Sequence, residues 1–312
     1  MLSEFKRQMK DKKNNILQEI DVTDKAELLP YLIEKNVRKS RSAIKSLLTH
    51  KQIKVNNQVV SQHNFELNPG DKITIHKHDH KHDIKKLKGL TIVYEDRDII
   101  VVDKEPGLLS IAAGNELKET AYNIVNQYLK AKNANSRAYV LYRLDREISG
   151  LMVYAKSPEI QEQLQKTWIT KPLQRRYIAI VEGRVSPADG TITSWLTENK
   201  NYQMFASSFD NGGQVAIMHY KTMQANNRFS VLSIEMETAR KNQIRVQLQS
   251  IGHPVVGDKK YGSKIGSLRR IALHANKIVF THPTTKEKFE LISPMPKKMQ
   301  IMADTIQPQK DA

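Results

Sequence analysis

The chain contains no cysteine in 312 residues, which excludes disulfides, zinc–thiolate sites and a cysteine nucleophile. No apolar run approaches the ~20 residues that span a bilayer. Residues 1–20 are charged and lack the apolar core of a signal peptide, so a soluble, cytoplasmic protein is the expectation. Hydrophobic residues make up 39% of the chain, low for a globular protein but enough for a core, and long alternating segments argue against disorder. Acidic residues are scarce beside basic ones: 33 Asp and Glu stand against 50 Lys and Arg, a net charge of +17. Phosphate neutralisation is the commonest use of such an excess, so a nucleic-acid partner is expected rather than a merely lysine-rich surface. The excess is not one detachable tail, because residues 1–88 carry 19 basic and 11 acidic side chains and the remainder carries a similar surplus.

Residues 1–20 read as a basic arm, with pairs such as Lys6-Arg7 and Lys12-Lys13. A compact unit is expected over 21–76. One helical pattern runs through Leu28, Leu29, Leu32 and Ile33, and a second through Ile44, Leu47 and Leu48. Short alternating strands at 53–55 and 58–60 flank the turn-prone Asn56-Asn57, and Pro69-Gly70-Asp71 precedes a last strand ending at His76. Arg38, Arg41 and Lys45 share one face of the second helix by three- and four-residue spacing, and Lys51 and Lys54 extend that face into a cationic patch. His76, His78, His80 and His82 alternate with Lys and Asp, a run that reads as a solvated linker over 77–89 rather than a metal site. From Leu90 to the end, 90–312, the pattern is α+β. Strands are expected at 91–94, 99–103, 150–156, 176–182, 213–223, 229–238 and 271–280, with helices at 121–130, 158–168 and 240–251. Strands adjoin strands without steady helical crossovers, which favours a mixed, mostly antiparallel central sheet over a doubly wound one.

One stretch carries more chemistry than the rest. In Tyr142-Arg143-Leu144-Asp145-Arg146 an acid lies between two arginines, ahead of a Ser149-Gly150 turn and the apolar run 151–155. That order suggests a carboxylate on a loop, delivered into a cleft by a buried strand. A lone Asp of this kind is ordinarily a surface ion pair. Its company raises the alternative: a strand opening on Arg175-Arg176-Tyr177, a basic segment Arg240-Lys-Asn-Gln243-Ile-Arg245, and a tight loop Gly252-His253-Pro254…Gly257-Asp258…Tyr261-Gly262.

In this order the segments closely resemble the RluA family of pseudouridine synthases. The resemblance runs from Tyr94-Glu95-Asp96 and Val102-Asp103-Lys104-Glu-Pro106-Gly107-Leu108 to Leu273-His274-Ala275 and His282-Pro283, about two thirds of the chain. The 21–76 unit resembles the ribosomal-protein-S4-type RNA-binding domain, an appended small α/β module. There are departures from the family pattern: Tyr142 replaces a histidine, and Ala239, Lys241 and Asn242 replace a glycine, a small hydroxyl residue and a histidine.

The resemblance implies isomerisation of uridine to pseudouridine in RNA, without metal or organic cofactor, on a pseudouridine synthase fold. It assigns Asp145 the attack on C1′ or the removal of a ribose proton. Arg245 becomes the partner that orients this carboxylate, and Tyr177 an aromatic wall for the uracil. Arg143 would fill the space left by the extruded base or grip a flanking phosphate, and Arg240 would serve phosphate. The histidines 253 and 274 and Lys104 are given no chemical step. A large structured RNA, 23S rRNA first and tRNA second, is the expected substrate of a monomer. Two rivals stand beside this reading: a non-catalytic RNA-binding or ribosome-assembly factor that kept the fold, and a glycoside hydrolase. The first is opposed by Asp145, Tyr177 and Arg245 together, the second by the lack of a second catalytic carboxylate beside Asp145.

Overall fold

A computed structural model describes residues 16–38, 40–49, 52–76, 85–112, 119–170 and 173–306. Lys51 and the histidines 78, 80 and 82 lie outside the described residues. The chain divides into two compact units, Met1–Ile84 with Thr284–Lys286, and Lys85–Pro283 with Glu287–Ala312. No helix among the described residues is long and apolar enough to cross a membrane.

The first unit is built from β1 (Ile16–Asp21), β2 (Ala26–Glu27), α1 (Leu28–Glu34), α2 (Arg41–Thr49), β3 (Ile53–Val55), β4 (Gln58–Val59), β5 (Glu66–Leu67) and β6 (Lys72–His76). An antiparallel sheet, β1-β6-β3-β4, packs Ile53, Val55, Ile73 and Ile75 against the apolar stripes of both helices, Leu28 and Leu32 on α1 and Ile44 and Leu48 on α2. Two expectations are corrected. Residues 16–20, assigned to the basic arm, form an edge strand on β6, with Ile20 packed on the core and Glu19 paired to Lys72 at 2.9 Å. Arg38 precedes α2 instead of riding on it. Val37 is drawn into the core, and the Ser40 hydroxyl accepts from the Ala43 N–H, so the helix starts at Arg41. Arg41 and Lys45 keep their shared helix face and are exposed; Lys54, on β3, is half-buried.

Among its described residues the second unit holds twelve strands in a mixed sheet. They are β7 (Lys85–Leu87), β8 (Leu90–Glu95), β9 (Ile99–Lys104), β10 (Tyr139–Val140), β11 (Ser149–Ala155), β12 (Gln174–Glu182), β13 (Asp189–Glu198), β14 (Met204–Ser207), β15 (Gln214–Ala225), β16 (Phe229–Met236), β17 (Leu273–Thr281) and β18 (Lys288–Ile292). Their main path is β14-β13-β15-β16-β12-β17-β11-β9-β8-β7, with β10 on β11 and β18 on β17. The helices are α3 (Ala121–Lys132), α4 (Pro158–Thr170), α5 (Gln243–Ser250) and α6 (Lys297–Asp304). Residues 85–87, expected in the linker, instead pair with β8 at the sheet edge.

The continuous apolar run of β11 has a physical cause: all seven of its residues are buried. Met152 and Tyr154 share a core with Val125 and Leu129 of α3, while Leu151 and Val153 share the other with Leu164 of α4. Helices therefore cover both faces of the sheet here, and no polar face is needed. The start of β11 runs parallel to β17, with Ser149 opposite His274 and Gly150 opposite Ala275. At Gly150 φ is +124°, and a Cβ would come within 2.3 Å of the Ala275 carbonyl oxygen. Only glycine permits that approach, and it brings the loop ending at Ser149 against the middle of the sheet.

Candidate active site

The loop carrying Asp145 is clamped on both sides of the acid. Upstream, buried Ser110 donates through Oγ to the Leu144 carbonyl at 2.6 Å and accepts from the Leu144 N–H at 3.1 Å. Downstream, the Arg146 carbonyl accepts from the Gly107 N–H at 2.8 Å and from Lys104 Nζ at 3.1 Å. Lys104 is fully buried and also donates to the carbonyls of Glu105 and Leu108, at 3.1 and 2.8 Å. Burial lowers its ammonium to about 8. The lysine is not among the residues lining the Asp145 cavity, and its work is to tie the Pro106-Gly107 turn to the Asp145 loop.

Asp145 opens into a cavity of about 240 Å³. Arg143, Arg175, Tyr177, Arg240 and Arg245 share its wall. Asp145 is the sole acid among the lining residues, facing five cations once Lys241 is added. Such a field suits a ligand that carries phosphate and brings a neutral reacting group to the carboxylate.

The carboxylate is held from α5. Arg245 Nη1 lies 3.3 Å from Asp145 Oδ2. The same guanidinium makes a two-pronged pair with Asp258, Nε to Oδ2 at 2.6 Å and Nη2 to Oδ1 at 2.8 Å. Burial opposes the Arg245 charge, but Asp258 first and Asp145 second more than offset it, and its pKa is raised. Asn242 donates through Nδ2 to the same Oδ2 of Asp145, and its Oδ1 accepts from the Tyr261 hydroxyl at 3.1 Å. Because a carboxylate only accepts and the tyrosine hydroxyl donates to Oδ1, these partners fix which way the amide points. Tyr261 also lies under the Arg245 guanidinium, 5.0 Å from ring centroid to carbon.

The expected helix 240–251 begins at Gln243, because Asn242 sits in the left-handed region at φ +52°. The turn before it is pinned by buried Gln243, whose Oε1 accepts from the Arg240 N–H and the Thr238 hydroxyl, both at 3.0 Å. Its Nε2 donates to the Ile217 carbonyl at 3.0 Å.

Tyr177 is 5% exposed and lines the cavity from β12; burial raises its hydroxyl, with Arg175 opposing and Asp145 adding to the shift. Tyr142 is anchored by its hydroxyl on the Leu151 carbonyl at 2.9 Å, and Arg175 lies over its ring at 5.3 Å. Arg143 and Arg240 are exposed at the mouth, the latter donating through Nε to the Val215 carbonyl at 3.1 Å. The structure thus brings Asp145, Tyr177, Arg245, Arg143 and Arg240 to one cavity, while Arg38, Arg41, Lys45 and Lys54 belong to the first unit. Four participants had no role in the sequence reading: Asn242, Asp258, Ser110 and Lys104. The Gly257-Asp258 pair held one usable signal. Gly257 has φ +83°, and a Cβ there would meet the Arg270 carbonyl oxygen at 2.1 Å, so the glycine marks a fixed turn that delivers the acid.

Comparison with known proteins agrees with this architecture. Residues 98–250 match the family described as RNA pseudouridylate synthase, and residues 29–73 match the S4 domain. The chain is 32% identical over 273 residues to the RNA pseudouridine synthase YhcT of Bacillus subtilis, covering 86% of this chain and 90% of that protein. It is 31% identical over 277 residues to the ribosomal large subunit pseudouridine synthase D of Buchnera aphidicola, covering 84% and 88%. The solved human RNA pseudouridylate synthase domain containing 4 has the same fold, with a TM-score of 0.58 at 20% identity over 70% of this chain and 94% of that one. With a mixed, mostly antiparallel sheet of that fold, an S4 domain ahead of it and relatives matched over most of their length, this chain belongs to the RNA pseudouridylate synthase family of isomerases.

Proposed function

We propose that this enzyme isomerises uridine in 23S rRNA, with Asp145 as its catalytic carboxylate and the N-terminal unit as a second grip on the RNA. The observation that carries the reading is the setting of Asp145. Its carboxylate accepts from Asn242 and Arg245 in a cavity of cations that it shares with buried Tyr177.

In the reaction the C1′–N1 bond of the target breaks, the uracil turns within the cavity and C5 bonds to C1′; a proton leaves C5 and one is gained at N1. Asp145 acts at the ribose, by attack on C1′ or by removal of a ribose proton. Either route needs the carboxylate held in one rotamer, which Asn242 and Arg245 supply. Tyr177 presents its ring to the uracil. Arg143 fills the space of the extruded base or grips a flanking phosphate, and Arg240 serves phosphate. Flipping the nucleotide out costs a few kcal/mol, which backbone contacts offset. Arg38, Arg41, Lys45, Lys51 and Lys54 supply further phosphate contacts from the first unit, raising effective affinity for a large RNA. No step calls on a metal or organic cofactor, and the enzyme acts as a monomer in the cytoplasm.

The large-subunit substrate is supported by the name of the Buchnera relative and by the S4 domain. Mapping pseudouridines in rRNA and tRNA from cells with and without this protein tests it. Positions lost from 23S rRNA and restored by a plasmid copy are expected; losses confined to tRNA overturn the substrate assignment.

A further inference from the structure

The turn joining β13 to β14 carries an aromatic ring that the reaction above does not use. Tyr202 is 73% exposed and has φ +58°, in the left-handed region that residues with a Cβ seldom occupy. The turn is built to hold that conformation. Asn199 Oδ1 accepts from the N–H groups of Asn201 and Gln203, at 2.9 and 3.0 Å, and the Asn199 and Gln203 backbones bond at 2.9 Å.

Two lysines flank the residue. Lys241 Nζ lies over the ring, 5.5 Å from its centroid, and is also paired with Glu198. Lys260 Nζ donates to the Tyr202 carbonyl at 3.3 Å. Lys241 in turn lines the cavity that holds Asp145. An exposed tyrosine alone needs no explanation. A ring held outward by a strained turn, cationic on one face and open on the other, beside a nucleotide cavity, has the make-up of a base-stacking platform.

We infer that Tyr202 stacks an unpaired base of the RNA next to the target uridine, with Lys241 and Lys260 against the neighbouring phosphates. The inference rests on the pseudouridine synthase reading. Extruding the target leaves its neighbour without a stacking partner, and the free face of Tyr202 replaces what was lost. Stacking on a tyrosine is tolerant of base identity, so the contact adds affinity at the rim and leaves the choice of uridine to the cavity.

The test uses the full-length protein and total RNA from cells lacking it, labelled with [5-³H]uridine, with tritium release as the readout. Tyr202→Asn removes the ring while keeping the turn, because asparagine tolerates positive φ; Tyr202→Phe keeps the ring. Tyr202→Asn is expected to raise KM roughly 5- to 50-fold, with kcat within about twofold of wild type. Tyr202→Phe should stay within about twofold on both. The inference is overturned if Tyr202→Asn leaves KM unchanged, if it lowers kcat at constant KM, or if Tyr202→Phe loses as much as Tyr202→Asn. A wild-type enzyme that releases no tritium overturns the underlying catalytic reading, and this inference with it.

Discussion

Replacing Asp258 with asparagine should leave the catalytic unit folded but release Arg245 from the orientation that serves Asp145. Arg245 spends Nε and Nη2 on Asp258, at 2.6 and 2.8 Å, and has only Nη1 for Asp145, at 3.3 Å. The arginine is therefore aimed by Asp258 and merely used by Asp145. Arg245 is 7% and Asp258 1% exposed, so water neither screens the pair nor rehydrates a survivor. Removing one charge from a buried pair costs about 3–5 kcal/mol. Asparagine keeps one oxygen for the guanidinium and for the Tyr261 N–H that Asp258 also caps, so the lower end, about 3 kcal/mol, is expected. For a unit of this size that is a fall in Tm of roughly 6–12 °C. Loosening a charge-assisted contact to Asp145, the proposed catalytic carboxylate, is worth about 1.5–3 kcal/mol, or roughly 10- to 100-fold in kcat. KM should barely move, since Asp258 does not line the cavity. Thermal unfolding followed by circular dichroism and single-turnover tritium release measure both. A variant with wild-type Tm and with kcat within about twofold of wild type would refute the argument that Asp258 sets the site.

Three further outcomes are expected. Asn242→Ala removes both the donor to Asp145 and the acceptor for Tyr261, and should lower kcat about tenfold or more while filter binding to RNA stays unchanged; weakened binding at constant kcat would contradict it. His274 is buried between Ser149 and Ser293, and burial with Arg270 lowers it to about 4. The unfolded imidazole titrates near 6.5, so between these values the unfolded chain binds the extra proton. Stability is then full above about pH 6.5 and falls by up to about 3 kcal/mol as pH drops to about 4. His274→Gln should remove that part of the slope in urea titrations, and an unaltered pH profile would count against it. Arg41→Ala with Lys45→Ala should reduce the slope of log affinity against log salt by about 1–2, and an unchanged slope would remove these residues from the RNA interface.

Much of the fold was legible because burial leaves a strong imprint where both faces of a strand are covered. The run 151–155 announced β11, and the pairing of Ser149-Gly150 with Ala275 explains why a glycine must stand there. Strands such as β13 and β14 went unread because they lie at the sheet's far end. Only Ser194 and Leu196 on β13 and Met204 on β14 are buried, so the apolar signal is thin. The helix at 243–250 starts three residues later than its sequence suggests, since Arg240 and Lys241 suit a helix as well as they suit the turn that Asn242 closes at positive φ.

At the site, residue types were readable while partnerships were not. Asp145, Tyr177 and Arg245 could be picked from their motifs. That Arg245 gives its strongest contacts to Asp258, thirteen positions on, depends on how α5 packs over the following loop. Asn242 read as a departure from the family pattern, and only the distance to Asp145 turns it into a ligand of the carboxylate. Lys104 carries no chemical step in the sequence, and only its three carbonyl bonds reveal it as the tie between the Pro106-Gly107 turn and the Asp145 loop.

The most direct measurement of the central claim is tritium release by Asp145→Asn on [5-³H]uridine-labelled RNA, with filter binding on the same sample. The amide is nearly isosteric and still reaches Asn242 and Arg245, but it can neither attack C1′ nor take a proton. The account predicts no detectable release beside RNA binding within about twofold of wild type. Release at the wild-type rate would contradict it.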